Sequence, residues 1–115
     1  MDDARLRQEM AGLSFYHTVP LTPTLSTPGW PAVVPIVEMT RRAMEGVDFR
    51  GKRVLDIGCR DGLFCFEAEK LGAAEVVGID NDLAPGVTEF LLRTLKSSAR
   101  IVPYNLFDLR PDSFG

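Results

Sequence analysis

Two acids and two glycines in this chain stand at spacings that suit a nucleoside. Asp56, Gly58 and Gly62 fall within Val54-Leu55-Asp56-Ile57-Gly58-Cys59-Arg60-Asp61-Gly62, and Asp80 closes Val76-Val77-Gly78-Ile79-Asp80. A glycine at the end of a strand adopts backbone angles closed to other residues and leaves no side chain in a ligand's path. A glycine at Gly62 lets a following helix pack closely, and that helix's N-terminus favours an anionic group. A carboxylate about 20 residues beyond such a turn is placed to accept hydrogen bonds from ribose hydroxyls. Asp80-Asn81-Asp82 sets two acids there, which favours free hydroxyls over a 2′-phosphate. Asp56 repels a pyrophosphate at the same mouth. It matches the ammonium of an amino acid portion, whose carboxylate suits the helix end. Cys59 and Arg60 inside the turn, and Asn81 beside the second acid, join the candidate ligand contacts. Asn105 is placed to reach a base edge, with Leu106 and Phe107 to cover the base.

Each residue also has a plainer role. Gly58 and Gly62 serve any tight turn, Asp80 suits a helix cap, and Asp56 suits a strand-end acid paired with a lysine. Asn105 suits a turn, and Phe64 and Phe66 suit the core better than a stacking role. What favours a ligand is the joint occurrence of Asp56, Gly58, Gly62 and Asp80 in one strand-turn-helix-strand frame.

That frame needs elements to hold it. Residues 54–57 read as a strand, 62–70 as a helix with Phe64, Ala68 and Leu71 inward, and 75–79 as a second strand. Residues 82–98 read as a helix with Val87, Phe90, Leu91 and Leu95 on its core face, and 100–103 as a third strand. Strands alternating with helices argue for a parallel sheet. The expected fold is therefore α/β: a partial, Rossmann-like three-layer sandwich of about three parallel strands in order 3-2-1, with flanking helices. Upstream, residues 2–12 read as a short surface helix. Residues 14–31 hold four prolines, which exclude a long helix. There Phe15 to Val19 suits a short strand, and Trp30 follows a turn signal as a large anchor. The whole stretch reads as an ordered loop lying over the domain. A helix follows from Pro31 to about Gly46, with Val33, Val37 and Met44 in one apolar line and Ile36, Met39 and Ala43 beside it. Two units result: helices and covering loop over 1–50, and the ligand-binding part over 51–115.

Composition bounds the class. With 115 residues, 45% of them hydrophobic, and a net charge of −3, the chain is of ordinary globular make-up and offers no general affinity for nucleic acid or an anionic membrane. No apolar run reaches the roughly 20 residues of a membrane span, and Met1-Asp2-Asp3-Ala4-Arg5 lacks the order of a signal peptide. A cytoplasmic setting is the expectation. Cys59 and Cys65 are the only cysteines and His17 the only histidine. Two free thiols are expected and no metal site.

The Asp56, Gly58, Gly62 and Asp80 set resembles the first glycine motif and the following acidic motif of class I S-adenosylmethionine-dependent methyltransferases. Arg60 stands where the family's middle glycine falls. The resemblance covers about residues 53–108. It implies that Asp56 helps to hold the methionine amino group, that Gly58 lines the cofactor and that Asp80 binds the ribose hydroxyls. The cofactor so implied is S-adenosyl-L-methionine. His17-Thr18-Val19-Pro20-Leu21, then Thr27-Pro28-Gly29-Trp30, then Gly51 to Gly58 look like the branch that includes wobble-uridine tRNA methyltransferases. In that light Tyr16 and His17 are candidates to touch substrate, and the methyl acceptor is open between tRNA and a small molecule. The family's complete sheet has more strands than the three read here. Either a longer chain, or a partner or second copy, is then expected to complete it. A non-catalytic binding or interaction module on the same fold is the alternative. A nicotinamide-dependent oxidoreductase fragment is disfavoured by Asp56 and by the absent middle glycine.

Overall fold

The computed structural model describes residues 2–114; Met1 and Gly115, the outer ends of the two expected units, lie outside them. The elements run α1 (Asp3–Met10), β1 (Pro20–Thr22), β2 (Leu25–Ser26), α2 (Val34–Glu45), β3 (Arg53–Ile57), α3 (Leu63–Lys70), β4 (Glu75–Asp80), α4 (Val87–Leu95) and β5 (Arg100–Pro103). Short 3₁₀ turns occupy Pro31–Val33 and Leu106–Asp108. Asp2 caps α1 by accepting the Arg5 N–H at 2.8 Å, which satisfies one of the donors that a helix start leaves unpaired.

The three long apolar strands form one parallel sheet in the order β3-β4-β5, as the sequence leads one to expect. Arg53 pairs with Glu75 and Ile57 with Ile79 across the first ladder. Val77 pairs with Arg100 and Asp80 with Pro103 across the second. Alternation along the strands sends Gly78 and Ile101 to the face that carries α3 and α4. Against that face Leu6, Phe15, Val19 and Val37 join Leu63, Phe66, Val87, Phe90 and Leu91 in one core. Residues from before and after position 50 therefore share it. Cys59, Cys65, Ala68, Val76 and Ala99 make an adjoining cluster, and both thiols are free and buried. On the opposite face Leu55 and Val77 meet Leu109, Pro111 and Phe114 around a hollow of about 360 Å³.

Several local expectations are corrected. Residues 15–19 alternate in burial as a strand would, but the Tyr16 and His17 N–H groups bond to the Asp61 carboxylate instead of to a neighbouring strand. The hairpin falls just beyond, at β1 and β2. Thr27 closes this segment on itself. Its hydroxyl accepts the Val19 N–H at 2.7 Å and donates to the His17 carbonyl at 2.8 Å. Trp30 is 63% exposed and anchors nothing in the core. The helix expected from Asp82 starts only at Val87, because Asp82 N–H turns back to Asp80 and Gly86 stands at φ +77°. It ends at Leu95, where Lys96 takes a left-handed conformation. α3 turns Leu63, Cys65, Phe66 and Ala68 inward, while Phe64 and Leu71 stay half-buried. On α2 only Val37 is buried, and Ile36 and Met39 face outward.

Candidate functional site

β3 and β4 both end at the same rim of the sheet, and the chain turns away from it in different directions. After β3 it enters a tight turn, and after β4 a loop to α4. A cleft of about 260 Å³ opens between them, lined by Ile57, Gly58, Ile79, Asp80, Asn81, Tyr104, Asn105, Leu106 and Phe107. Crevices at the carboxyl ends of parallel strands are where α/β sheets bind ligands. Six of the residues singled out from the sequence, Gly58, Asp80, Asn81, Asn105, Leu106 and Phe107, meet there. Gly58 holds φ +76°, and a Cβ built on it meets nothing within 4 Å. That side of the turn is open to an incoming group, and a side chain there would fill it.

Asp80 is 8% exposed, and its carboxylate is fixed by two backbone donors. Arg60 N–H donates to Oδ2 at 2.8 Å and Asp82 N–H to Oδ1 at 2.8 Å. Because α4 starts later, Asp80 caps the loop and not a helix. Asn105 uses its Oδ1 to accept the Phe107 N–H at 2.9 Å, the turn role that its plainer reading described, while its position still lines the cleft. Leu106 is 51% and Phe107 93% exposed beside it, so the cleft has an exposed apolar flank.

Asp56 lies behind the rim. Its Oδ2 accepts from the Cys65 thiol at 3.5 Å. Burial pushes its carboxyl above the ordinary carboxylate range, the Cys65 thiol opposes that, and the negative Asp80 adds to it. The lysine partner of its plainer reading does not appear among the ion pairs of the described residues. Cys65 itself is pushed far up, first by its contact with Cys59 and then by burial and Asp56, so it stays a neutral thiol.

Cys59 and Gly62 do not reach the cleft with side chains. Cys59 is 1% exposed and packs in the core. Gly62, at φ +99°, is where a Cβ would fall 2.5 Å from Ile101 Cδ1, so its role is close packing of α3 on β5. The amides of Gly58 and Cys59 both bond to the Ile79 carbonyl, at 2.8 and 3.0 Å, and that of Gly62 to the Cys59 carbonyl at 2.9 Å. These three N–H groups are thus consumed internally.

Arg60 and Tyr16 line a second hollow of about 240 Å³ on the far side of the turn, with Trp30, Asp61 and Asp82. The Arg60 guanidinium sits 4.7 Å over the Tyr16 ring and pairs with Asp82 at 3.0 Å. Arg60 holds φ +49°, so the site of the absent middle glycine keeps a left-handed backbone with a side chain on it. His17 lies beneath, 4% exposed, its ring edge-on to Tyr16 and Phe64. Burial lowers its pKa, with Asp61 opposing and Arg60 assisting. Its Nδ1 is buried without a hydrogen-bond partner among the described residues. Sequence reasoning missed Asp61 and Tyr104. Tyr104 carries no motif, and Asp61 acts on residues 44 and 45 positions away.

A sequence model of the ribosomal protein L11 methyltransferase family matches residues 35–88. L11 methyltransferases of Aliivibrio fischeri and Sodalis glossinidius are each 46% identical to this chain over 48 residues, or 42% of it. The chain spans 16% of the length of these relatives. Among solved structures, an assigned S-adenosylmethionine dependent methyltransferase of Listeria monocytogenes is 29% identical with a TM-score of 0.51. That likeness covers 63% of this chain and 33% of the other. The ribosomal protein L11 methylase of Lactobacillus delbrueckii is alike in fold, with a TM-score of 0.58 at 18% identity over 80% of this chain and 60% of its own. The chain thus has the α/β fold of these methyltransferases, and its segment from α2 to the start of α4, which holds the glycine turn and Asp80, is similar to theirs in sequence.

Proposed function

We propose that this chain carries the S-adenosylmethionine-binding part of a methyltransferase. The observation that carries this reading is the open flank of Gly58 facing the fixed carboxylate of Asp80 across one cleft. A nucleoside fits that pair: its ribose hydroxyls donate to Asp80, and its base lies toward Asn105, Leu106 and Phe107. Asp56 supplies negative charge for an ammonium group. S-adenosylmethionine supplies the electrophilic methyl group; the protein's part is to bind, orient and desolvate. On this reading residues 51–115 hold the cofactor and residues 1–50 cover it, with Tyr16 and His17 on the acceptor side. The similar L11 methyltransferases are named for a protein acceptor, whereas His17 to Leu21, Thr27 to Trp30 and Gly51 to Gly58 support the wobble-uridine tRNA branch. The acceptor proposed here is tRNA or a small molecule. A cytoplasmic setting fits two free thiols, and no helix among the described residues is long and apolar enough to cross a membrane. The open edge of β3 favours a second copy that completes the sheet.

Titration calorimetry with S-adenosylhomocysteine and with NADH tests the cofactor. Binding of the first and not the second is expected, and Asp80→Ala abolishes most of it with the fold intact. NADH binding alone overturns the reading. Methyl transfer to undermodified tRNA against ribosomal protein L11 then separates the acceptors. Methyl transfer by this chain defeats the alternative of a non-catalytic module.

A further inference from the structure

We infer that Asp61 latches the segment Phe15 to Trp30 onto the glycine turn, so that a ligand in the Asp80 cleft and the seating of Tyr16 and His17 are coupled. The ligand's identity, though not the latch, rests on the function proposed above. Asp61 is a carboxylate only 3% exposed. Its Oδ2 accepts the Tyr16 N–H at 2.7 Å and the His17 N–H at 3.0 Å. No arginine or lysine pairs with it among the ion pairs of the described residues. A buried charge without a cation needs its hydrogen bonds, and these two are charge-assisted. If the segment lifts away, the carboxylate loses both donors together. Seated and unseated are therefore discrete states and not a continuum.

The neighbouring residue ties the same joint to the cleft. Arg60 N–H donates to Asp80 Oδ2 at 2.8 Å. Residues 60 and 61, adjacent in one turn, thus hold the cleft's acid with one group and the covering segment with the next. The Arg60 side chain repeats the connection from Tyr16 across to Asp82, and Asp82 N–H returns to Asp80. The left-handed backbone of Arg60 at φ +49° is unfavourable for a side-chain-bearing residue. The turn keeps that shape through these partners. A group that binds Asp80 favours the same shape, and therefore the docked segment. By linkage the docked segment strengthens binding at Asp80 by the same factor. Asp61 is a positioning residue: it orders binding so that Tyr16 and His17 are presented to an acceptor after the cleft is filled.

The test is residue-resolved amide hydrogen exchange on the 115-residue chain, with and without S-adenosylhomocysteine, in wild type and Asp61→Asn. The asparagine keeps an acceptor oxygen and removes the charge. Exchange at the Tyr16 and His17 amides should quicken about tenfold in Asp61→Asn, the size expected when a charge-assisted bond becomes neutral. Ligand should slow both amides in wild type and not in the variant, and affinity should fall by the factor of protection lost. A variant that keeps wild-type protection at these amides, or keeps the ligand-induced slowing, overturns the latch. A purely structural carboxylate would loosen the amides and leave the ligand's effect in place. If Asp61→Asn does not fold, wild type alone decides. Ligand must then slow Tyr16 and His17 more than Thr27, whose N–H bonds to Val19 inside the segment; equal slowing overturns the proposal. If wild type binds no S-adenosylhomocysteine, the proposed function fails. The ligand-free comparison of wild type and variant then still judges the latch.

Discussion

Asp56 combines a proposed ligand role with an unfavourable place in the fold. Burial and Asp80 raise its carboxyl above the ordinary 3.8. A raised acid binds its proton more tightly in the folded than in the unfolded chain. Stability therefore falls as pH rises from 3.8 through the folded value, and stays lower above it. Asp56→Asn should remove that slope: its thermal midpoint at neutral pH should exceed wild type, and the two should converge below pH 3.8. Calorimetric scans between pH 3 and 7 read this directly, and a variant less stable at every pH contradicts it. The two turn glycines divide differently. Gly58→Ala incurs only the left-handed backbone penalty, about 1–2 kcal/mol, but its methyl enters the cleft and should weaken S-adenosylhomocysteine strongly. Gly62→Ala adds a clash with Ile101 and Phe66, so it should destabilise by roughly 2–4 kcal/mol. Denaturant midpoints together with calorimetry separate the two effects.

At the scale of elements, what the sequence makes legible is what local pattern decides. β3, β4 and β5 follow from apolar runs and their spacing, their order from the Rossmann-like fold expected of such alternation, and Asp80 falls at a strand end because the run itself stops there. The misread elements are those decided by distant groups. Residues 15–19 have a strand's alternation, but their amides are claimed by Asp61. Residues 82–86 have a helix's composition, but Asp80 takes the Asp82 amide and Gly86 bends away. The cleft was legible in part for the same reason: Gly58 and Asp80 sit in local motifs, whereas Tyr104 reaches it only through the third strand's position. The covering segment offers its own test. At Gly29 a Cβ would fall 2.2 Å from the His17 carbonyl carbon and 2.4 Å from Thr18 N, both backbone atoms that cannot rotate aside. Gly29→Ala should destabilise by on the order of 3 kcal/mol and expose Tyr16 and His17. Near-ultraviolet circular dichroism should lose the Tyr16–Trp30 contribution while the far-ultraviolet signal of the helices persists. Unchanged aromatic signal would show that the segment tolerates the methyl.

For the whole molecule the decisive feature is asymmetric closure of the sheet. One face of β3, β4 and β5 is covered by α3 and α4. On the other face Leu55 is 38% and Ile57 50% exposed at an edge strand whose outer hydrogen-bonding groups have no strand beside them among the described residues. An apolar edge of this kind is a template for another strand, and no proline or lysine in β3 blunts it. Arg53 is turned toward Glu75, which leaves Leu55 and Ile57 as the apolar face of that edge. The 115-residue chain should therefore associate in a concentration-dependent way. Light scattering across a hundredfold dilution should show mass falling toward the monomer. Leu55→Lys should shift that transition to higher concentration by setting a charge on the edge, away from the residues that line the cleft. Edge pairing also holds the carboxyl end of β3 still, and the cleft is built on that end. Association should accordingly tighten S-adenosylhomocysteine binding, and Leu55→Lys should weaken it only at concentrations where wild type is associated. A Leu55→Lys chain that assembles like wild type would place the contact elsewhere, most directly on the exposed Ile36 and Met39 of α2.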